Sequence, residues 1–315
     1  DKSTPYLNGG LFEEKKEDYP FEVLTFPDDF FVELFDHFNS FNFTTDESSP
    51  DYEIIAVDPE MLGQIFESLL ANEIDESGDN ERSKTGAFYT PKVIVSYMCK
   101  EALRQYLYRQ IDNSTFNSGI DKLLDISDSE YMKEKSTSAF EPWGINTKTV
   151  LPKITSALEH IKIIDPAVGS GAYPLGMMQV LASVYERILP VNKYDAYRIK
   201  LSIIENNLYG VDINPMAIEI ARLRTWLSLI IEDLNTEFIE PLPNLDFKFV
   251  SADSLIELDK VQSLNYDQNL DDKLDKIRKK YFNARKIESK ERYKSEYYNI
   301  TQQEGMSDDL RTSQL

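Results

Sequence analysis

Hydrophobic and polar positions follow a repeating pattern from residue 161 onwards. Short apolar runs occur in "KIIDP", "LYGVDI" and "DFKFVSAD". Between them lie the longer stretches "AYPLGMMQVLASVYERIL", "YDAYRIKLSIIENN" and "NPMAIEIARLRTWLSLIIED". The short runs predict buried strands, whereas the longer ones predict helices. This order predicts an α/β fold with a parallel sheet covered by helices. In the third helix one apolar face is predicted, formed by Met216, Ile220, Leu223, Leu227 and Ile230.

The chain before residue 161 predicts a mainly helical region. "FPDDFFVELFDHFNSFNF" predicts a short helix that packs its Phe residues on a neighbour, and "DPEMLGQIFESLLANEI" predicts a helix that starts near Asp58-Pro59. The polar stretch "DESGDNERSKTGA" predicts a loop. "PKVIVSYMCKEALRQYLYRQI" predicts a helix with Pro91 at its first position. Within residues 112–160, helical stretches are predicted near "GIDKLLDI" and "PKITSALEHIK".

The segment Asp271–Tyr297 has a different charge balance from the rest of the chain. It holds ten Lys or Arg and six Asp or Glu residues, a local net charge of +4. This pattern predicts a solvated amphipathic helix with a polar outer face. A stripe that contacts nucleic acid is the alternative interpretation.

Composition limits the possible settings of the protein. The 315 residues include 34 Lys and Arg against 55 Asp and Glu, a net charge of −21. Such a surface repels nucleic acid unless positive charge is concentrated locally or supplied by another segment. The single cysteine, Cys99, excludes a disulfide framework and a cysteine zinc site. We therefore expect a reducing, cytoplasmic location. The sequence has no apolar run of about 18 residues, so it predicts no membrane span. The start at Asp1 without a methionine suggests a piece of a longer protein.

The turn between the first predicted strand and its helix is the first candidate binding site. Gly169 and Gly171 permit positive φ angles and close approach of a ligand, and the helix start offers free N–H groups. A phosphate would suit such a turn. Asp165, however, ends the strand and would repel an anion, whereas an ammonium group or a hydroxyl would be held. The turn matches neither a P-loop nor the full G-x-G-x-x-G pattern.

Two further acids end the next two predicted strands. Asp212 is suited to accept both hydroxyls of a ribose, and Asp253 is placed to accept from the exocyclic amine of an adenine. Together with Asp165, they suit a ligand with a cationic amino acid part, a ribose and an adenine, such as S-adenosylmethionine. The alternative for each acid alone is a helix cap or a turn former.

With these residues identified, the chain resembles the adenine-N6 DNA methyltransferases of the Asn-Pro-Pro-Tyr amino-methyltransferase group, in particular the methyltransferase part of type IIG restriction–modification enzymes. "TGAFYTPKVIVSYM" resembles the motif that precedes the sheet in that family. "DPAVGSGAY" resembles the usual D-P-A-C-G-S-G, with Val168 in place of cysteine. "LYGVDINPMAIEIARLRTWL" and "LPNLDFKFVSADSL" resemble the second and third cofactor motifs, and "PYLNGGLFEE" and "IFESLL" resemble the helical lead-in.

The resemblance implies a partial, truncated Rossmann-like sheet of S-adenosylmethionine-dependent methyltransferases, preceded by a mainly helical region. It divides the chain into a helical connector, a helical lead-in with the first cofactor motif, a Rossmann-like cofactor-binding half, and a charged helical insert with the tail. The corresponding ranges are 1–84, 85–160, 161–258 and 259–315.

The resemblance also implies a set of cofactor-binding residues and no metal site. Tyr89, Thr90 and Pro91 would line the methionine side, although core packing of the Phe88–Tyr89 pair is the alternative. The remaining positions come from the strand ends. Asp165, Ala167, Gly169 and Gly171 would hold the amino acid part, Asp212 with Ile213 would bind the ribose and flank the adenine, and Asp253 with Ser254 would meet the adenine amine.

The catalytic motif of the family is missing from this chain. The only Asn-Pro pair is Asn214-Pro215, which belongs to the second cofactor motif. We therefore expect no catalytic residue here and place Asn-Pro-Pro-Tyr beyond Leu315, after the charged insert. The resemblance implies the cofactor-binding portion of a DNA adenine-N6 methyltransferase, with double-stranded DNA as the partner of the full-length protein. Mg²⁺ would serve only a nuclease domain outside this chain, and the fragment alone should be inactive.

Three alternatives remain open. Relatives with Asn-Pro-Pro-Tyr also methylate protein glutamine or RNA bases, and a non-catalytic binding or scaffold module of a phage-defence system would keep the cofactor site only for structure. An NAD-dependent enzyme is weakened because Asp212 lies 47 residues after Asp165, whereas the corresponding Rossmann acid lies roughly 20 residues on.

Overall fold

The computed structural model describes most of the chain after residue 90 and short pieces before it. The described residues are 27, 29–39, 42–44, 54–56, 63, 65, 90–136, 140–144, 147–230, 245, 248–255, 268–282, 284 and 287–303. The predicted helix start at Asp58-Pro59, the predicted polar loop and the aromatic pair Phe88–Tyr89 lie outside these residues. Gly63 and Ile65, which belong to the predicted helix after Pro59, are helical.

Besides the helical residues Gly63 and Ile65, the described part of the N-terminal region contains one helix and two strands. Helix α1 (Phe30–Asn39) confirms the predicted short helix. Its expected packing is wrong for three phenylalanines, since Phe30, Phe31 and Phe35 are exposed. Strands β1 (Asn42–Thr44) and β2 (Ile54–Ala56) form a parallel pair. The hydrophobic pattern did not predict this pair, because three-residue strands are too short to show alternation.

Four α-helices lie between residue 91 and the main sheet in the described part of the chain. They are α2 (Lys92–Ile111), α3 (Asn117–Asp125), α4 (Asp128–Ser136) and α5 (Thr147–His160). Helices α2, α3 and α5 confirm the predicted helical stretches, whereas α4 was not predicted. Pro91 is the residue before α2 rather than its first helical residue. Its backbone is extended, with φ −58° and ψ 144°, so its carbonyl accepts from Ile94 and Val95 at the helix start.

The predicted alternation of strands and helices is confirmed from residue 163. The elements are β3 (Ile163–Asp165), α6 (Ala172–Ile188), α7 (Ala196–Asn206), β4 (Leu208–Asp212), α8 (Pro215–Ile230) and β5 (Phe249–Ser251). The three strands are parallel and lie in the order β3-β4-β5. Because this order follows the chain, no reversal of strand order occurs among the described strands. A mostly helical chain with a small parallel sheet is compatible with part of an α/β methyltransferase fold.

The described helices cover one face of the sheet rather than both. Ile163, Leu208 and Phe249 point to the covered face and are buried. The intervening residues are more accessible, and Ile164 is 64% exposed. The prediction that "KIIDP" forms a buried strand is therefore wrong at Ile164. Alternating side chains lie on opposite faces of a strand, so the difference identifies the covered face.

Helix α8 buries a different face from the one predicted. The expected apolar stripe is only partly buried: Met216 is 57% exposed, and Ile220, Leu223 and Leu227 are half-buried. The buried face instead contains Ala221, Arg222, Arg224, Thr225 and Ser228. Small and hydrogen-bonded polar residues are buried there because the helix lies close to the sheet and to the turn before α6.

Helices α2 and α6 pack closely at Gly176. A Cβ atom at position 176 would contact Val95 and lie 3.4 Å from the sulfur of Cys99, so glycine allows the two helices to approach. The Sγ atom of Cys99 also donates to the carbonyl of Tyr173, over 3.6 Å. This contact places α2 beside the first turn of α6, which follows the glycine turn.

The charged C-terminal segment forms a hairpin of two helices, which corrects the prediction of one continuous helix. Helix α9 (Gln268–Phe282) and helix α10 (Ile287–Gln303) pack on each other. Their shared core consists of Leu274, Ile277, Tyr297 and Ile300. The apolar positions of each helix therefore face the other helix, and the hairpin has a small core of its own. None of the described helices is long and apolar enough to cross a membrane.

Candidate cofactor site

The three acids singled out in the sequence lie at or just beyond the carboxyl ends of neighbouring strands. Asp165 is the last residue of β3 and Asp212 the last residue of β4, as predicted. Asp253 lies two residues beyond the end of β5. Asp165 is opposite Gly210 and Asp212 is opposite Ser251 in the parallel register. The sheet thus brings the three strand ends to one edge.

The turn between β3 and α6 has the conformation that its glycines predict. Gly169 has φ 53° and Gly171 has φ 90°, both in the region that favours glycine. The backbone N–H of Val168 donates to the carbonyl of Val211 over 2.8 Å, and the N–H of Gly171 donates to the carbonyl of Val168 over 2.9 Å. The turn is therefore fixed to β4 before the chain enters α6.

Asp212 connects the turn to the end of β4. One carboxylate oxygen accepts from the backbone N–H of Gly169 over 2.7 Å, and the other accepts from the N–H of Asn214 over 2.9 Å. A carboxylate offers about four acceptor sites, so these two bonds leave capacity for hydroxyl groups of a ligand. Asp212 has both a local structural role and the capacity that the ribose interpretation requires.

Asp165 has an unfavourable environment for a negative charge. Burial raises the pKa of its carboxyl group, and the nearby Asp212 carboxylate raises the pKa further, whereas the hydrogen bond from the N–H of Ala167 opposes this rise. That bond is 3.1 Å long. A cationic ligand placed between the two carboxylates would relieve their repulsion, whereas an anion would increase it. The electrostatics agree with a ligand that carries a positive charge.

Helix α2, which begins after Thr90 and Pro91, lies near Asp165 at the position of Cys99. Burial raises the pKa of the Cys99 thiol to about 12, with a smaller contribution from the Asp165 charge. Asp165 also contributes to the raised pKa of Tyr173, for which burial is again the main cause. Cys99 is therefore an inert, protonated thiol between α2 and α6. Thr90 and Pro91 are connected to the turn only through α2, the helix that they precede. Among the described residues, neither one bonds directly to the turn.

The end of β5 is more open than the other two strand ends. Asp253 and Ser254 are exposed, and one oxygen of Asp253 accepts from the N–H of Leu255 over 2.9 Å. Ile213 is 63% exposed and Leu255 is 87% exposed. Two accessible apolar side chains beside an acceptor are chemically suited to a flat heterocycle with an amine. The N–H of Ala252 donates to the carbonyl of Asp212 over 2.8 Å, which fixes this end to β4.

The Asn214-Pro215 pair has a structural role. The side-chain oxygen of Asn214 accepts from the N–H groups of Met216 over 2.9 Å and Ala217 over 3.3 Å. Asn214 therefore caps α8, and Pro215 occupies its first position, where a missing N–H costs nothing. This agrees with its assignment to the second cofactor motif rather than to catalysis.

Sequence reasoning missed the residues below the turn. Ser170 is buried within the turn and accepts from the buried Arg224, while Ala221 contacts the space beside Gly171. The sequence "ARLRTW" would predict this support of the turn only if its arginines were assigned to the buried face of the helix. The predicted apolar stripe assigned other residues to that face.

Comparison with known proteins supports the restriction–modification methyltransferase part of the predicted resemblance. Residues 206–307 match the family described as Eco57I restriction-modification methylase. A protein of Methanocaldococcus jannaschii named as a type II restriction enzyme and methyltransferase is 34% identical over 265 residues, which cover 81% of this chain and 21% of that protein. The matched family segment extends from the end of α7 to just beyond α10 and contains Asp212 and Asp253.

Two relatives are named as adenine-specific methyltransferases. PglX of Lacticaseibacillus casei is 25% identical over 158 residues, or 50% of this chain and 12% of that protein. BrxX of Escherichia coli is 24% identical over 133 residues, or 42% of this chain and 10% of that protein. The chain spans about a fifth or less of the length of these three relatives. The similarities support a methyltransferase of the restriction–modification type.

Proposed function

We propose that the carboxyl edge of β3, β4 and β5 binds S-adenosylmethionine for a DNA adenine-N6 methyltransferase of the type IIG restriction–modification class. Asp165, Ala167, Gly169 and Gly171 hold the amino acid part. Asp212 accepts from the ribose hydroxyls. The remaining contacts involve residues beside these strand ends. Ile213 flanks the adenine, Asp253 and Ser254 meet its amine, and Tyr89, Thr90 and Pro91 line the methionine side.

One observation carries the proposal above all others. The carboxylate of Asp212 accepts from the N–H of Gly169 in the turn, and burial raises the pKa of Asp165, with a further contribution from the nearby Asp212 charge. This places two acids around a glycine turn at the start of a helix. A pyrophosphate would carry negative charge into that space, whereas S-adenosylmethionine brings an ammonium group and a sulfonium. The charge of the site favours the methyl donor over a dinucleotide.

The similarity to proteins named as adenine-specific methyltransferases supports adenine as the methyl acceptor. The exocyclic amine of adenine is a poor nucleophile because its lone pair is delocalised into the ring. Transfer therefore needs acceptors that take its two hydrogens as the nitrogen attacks the methyl group. In the resembled family the Asn of Asn-Pro-Pro-Tyr and a backbone carbonyl do this. Within residues 1–315 the only Asn-Pro pair caps α8, so we assign methyl transfer to the longer protein.

The rest of the proposal concerns the full-length protein. Double-stranded DNA is its proposed substrate, and the target base would be turned out of the duplex to reach the methyl donor. The Rossmann-like architecture, the fusion to a nuclease and the cytoplasmic location belong to the same proposal. The sequence motifs support the architecture, the single cysteine supports the location, and the relative from Methanocaldococcus jannaschii named as both a restriction enzyme and a methyltransferase supports the fusion.

Titration calorimetry on the 315-residue chain tests the cofactor claim. We expect binding of S-adenosylmethionine and no comparable binding of NAD. A methylation assay with duplex DNA should give no product from this chain, since it lacks the catalytic motif. Tight NAD binding without a response to S-adenosylmethionine would overturn the proposal, and robust methylation by residues 1–315 would contradict the assignment of catalysis to the longer protein.

A further inference from the structure

Ser170, at the centre of the glycine turn, is held from below by a buried arginine. Arg224 of α8 is only 3% exposed, and Ser170 is 1% exposed. The Nη1 atom of Arg224 donates to the carbonyl of Ser170 over 2.6 Å and lies 3.0 Å from its hydroxyl oxygen. A guanidinium cation is thus bonded to the central residue of the turn, so its position and the conformation of the turn depend on each other.

A second part of the chain reaches the same guanidinium. A Cβ atom at the helical residue Gly63 would lie 2.7 Å from the Cζ atom of Arg224, closer than real Cβ contacts allow. The backbone at Gly63 therefore lies directly against the guanidinium group, and a side chain at this position would force the guanidinium to shift. We call the arrangement of Gly63, Arg224 and Ser170 the arginine bridge.

Helix α8 also supports the neighbouring glycine of the turn. A Cβ atom at Gly171 would lie 3.1 Å from the Cβ of Ala221, one helical turn before Arg224. The same helix face thus contacts two consecutive residues of the turn, Ser170 and Gly171. A displacement of Arg224 would act on a turn that already has no free space below it.

We propose that Arg224 is a positioning residue for the cofactor turn, and that the contact with Gly63 couples the packing of Gly63 to the affinity of that turn. The inference rests on the proposed function for the identity of the ligand. A change in how the backbone of Gly63 packs on Arg224 would move the guanidinium, and the guanidinium would move Ser170. The bond between the Gly169 N–H and Asp212 would then change with it, because Gly169 precedes Ser170.

Helix α8 supplies a matched control. Arg222 is also buried, at 8% exposure, but its Nη2 atom donates to the carbonyl of Phe249 in β5 over 2.7 Å. It lies two residues from Arg224 and contacts the sheet instead of the turn. Arg222→Lys therefore disturbs a buried arginine of the same helix without acting on Ser170.

The test compares Gly63→Ala, Arg224→Lys, Arg224→Met and Arg222→Lys in the 315-residue chain. Titrations use S-adenosylmethionine and 5′-methylthioadenosine, which lacks the amino acid part that the turn is proposed to hold. For Gly63→Ala and Arg224→Met we expect about tenfold weaker binding of S-adenosylmethionine, the size of one lost hydrogen bond to a charged group. Binding of methylthioadenosine should change less. Arg224→Lys should restore part of the affinity, since an ammonium group can still donate to the Ser170 carbonyl.

Hydrogen exchange of the ligand-free protein tests the arginine bridge independently of cofactor binding. Amides of residues 168–172 should exchange faster in Gly63→Ala than in the wild type, and should be unchanged in Arg222→Lys. If Arg224→Met does not fold, the results for Gly63→Ala and Arg224→Lys still test the proposed coupling. Unchanged exchange and affinity in Gly63→Ala would overturn the coupling, as would equal losses for both ligands in all variants. If the wild type binds no S-adenosylmethionine, the proposed function fails while the exchange data still test the bridge.

Discussion

The ends of β3 and β4 differ from the end of β5 in how far their acids are integrated into the fold. Asp212 bonds to two backbone N–H groups, one of them in the turn between β3 and α6. Asp165 is sufficiently buried for its pKa to rise. Asp253, in contrast, is exposed, and within the described part of the chain its side chain accepts from Leu255, two residues on.

This difference indicates a site whose two halves are formed by different means. The half proposed for the amino acid and ribose is a connected network, in which turn, strand end and helix start constrain one another. The half proposed for the adenine consists of accessible side chains that a ligand could order on binding. A change in the first half should therefore affect both stability and affinity, whereas a change in the second should affect affinity alone and by less.

Asp212→Ala should have the largest effect. It removes the acceptor for Gly169 and Asn214 together with the proposed ribose contact, so we expect about 100-fold weaker binding of S-adenosylmethionine, given that hydrogen bonds to charged groups contribute about 1.5–3 kcal/mol. The melting temperature should fall as well. Calorimetry and thermal unfolding measure the two effects. Asp212→Asn is the matched control, because its remaining side-chain oxygen can keep one of the two backbone bonds and should give an intermediate result.

Gly171→Ala should come next, because it combines backbone strain with a steric clash. The residue has φ 90°, and a Cβ atom there would lie 2.9 Å from a methyl carbon of Leu175. We expect a cost of about 1–3 kcal/mol in the free energy of unfolding, measured by denaturant titration, and weaker cofactor binding. Gly144→Ala is the control. It also has positive φ, 54°, but nothing lies near its Cβ position, so it should cost stability without changing affinity.

Asp165→Asn should change stability and binding in opposite directions. Because burial and Asp212 raise the pKa of Asp165 in the folded state, its ionised form opposes folding, and stability falls as the pH rises from the ordinary value of 3.8 through the raised pKa. The ligand-free variant should therefore melt at a higher temperature than the wild type at pH 7, and this difference should shrink towards pH 4. Affinity for S-adenosylmethionine should fall about tenfold, as expected for one lost charged contact.

A lower melting temperature for Asp165→Asn at pH 7 would show that Asp165 is primarily structural, in the way that an isolated strand-end acid often is. Equal differences from the wild type at pH 4 and pH 7 would show that its ionisation does not oppose folding. Either result would remove the distinction between Asp165, which carries unfavourable charge, and Asp212, which carries the backbone bonds.

Local patterns were sufficient for the elements that form the site edge. Strands β3, β4 and β5 follow from short apolar runs, and the positions of Asp165 and Asp212 at strand ends follow from where those runs stop. The positive φ angles of Gly169 and Gly171 follow from the absence of a side chain. In each case the information lies within a few residues of the feature.

Features that depend on tertiary contact were not predicted. The buried face of α8 carries Arg222 and Arg224, whose guanidinium groups donate to the carbonyls of Phe249 and Ser170. Hydrophobic periodicity cannot identify such a face, since a buried arginine counts as polar in the pattern. The hairpin α9–α10 was missed for a related reason. Its apolar positions give the pattern of one amphipathic helix, and only the tertiary contact between α9 and α10 shows that they belong to two helices.

The smallest expected effect belongs to Asp253→Ala, and it tests the contrast between the two halves most directly. The exposed carboxylate gives one local bond to Leu255, so its loss should leave the melting temperature nearly unchanged. Affinity for S-adenosylmethionine should fall only about threefold to tenfold, because an exposed hydrogen bond exchanges with water and contributes about 0.5–1.5 kcal/mol. Inosine-containing cofactor, which lacks the adenine amine, should bind Asp253→Ala and the wild type equally. A loss as large as that of Asp212→Ala would mean that the end of β5 is as integrated into the site as the ends of β3 and β4.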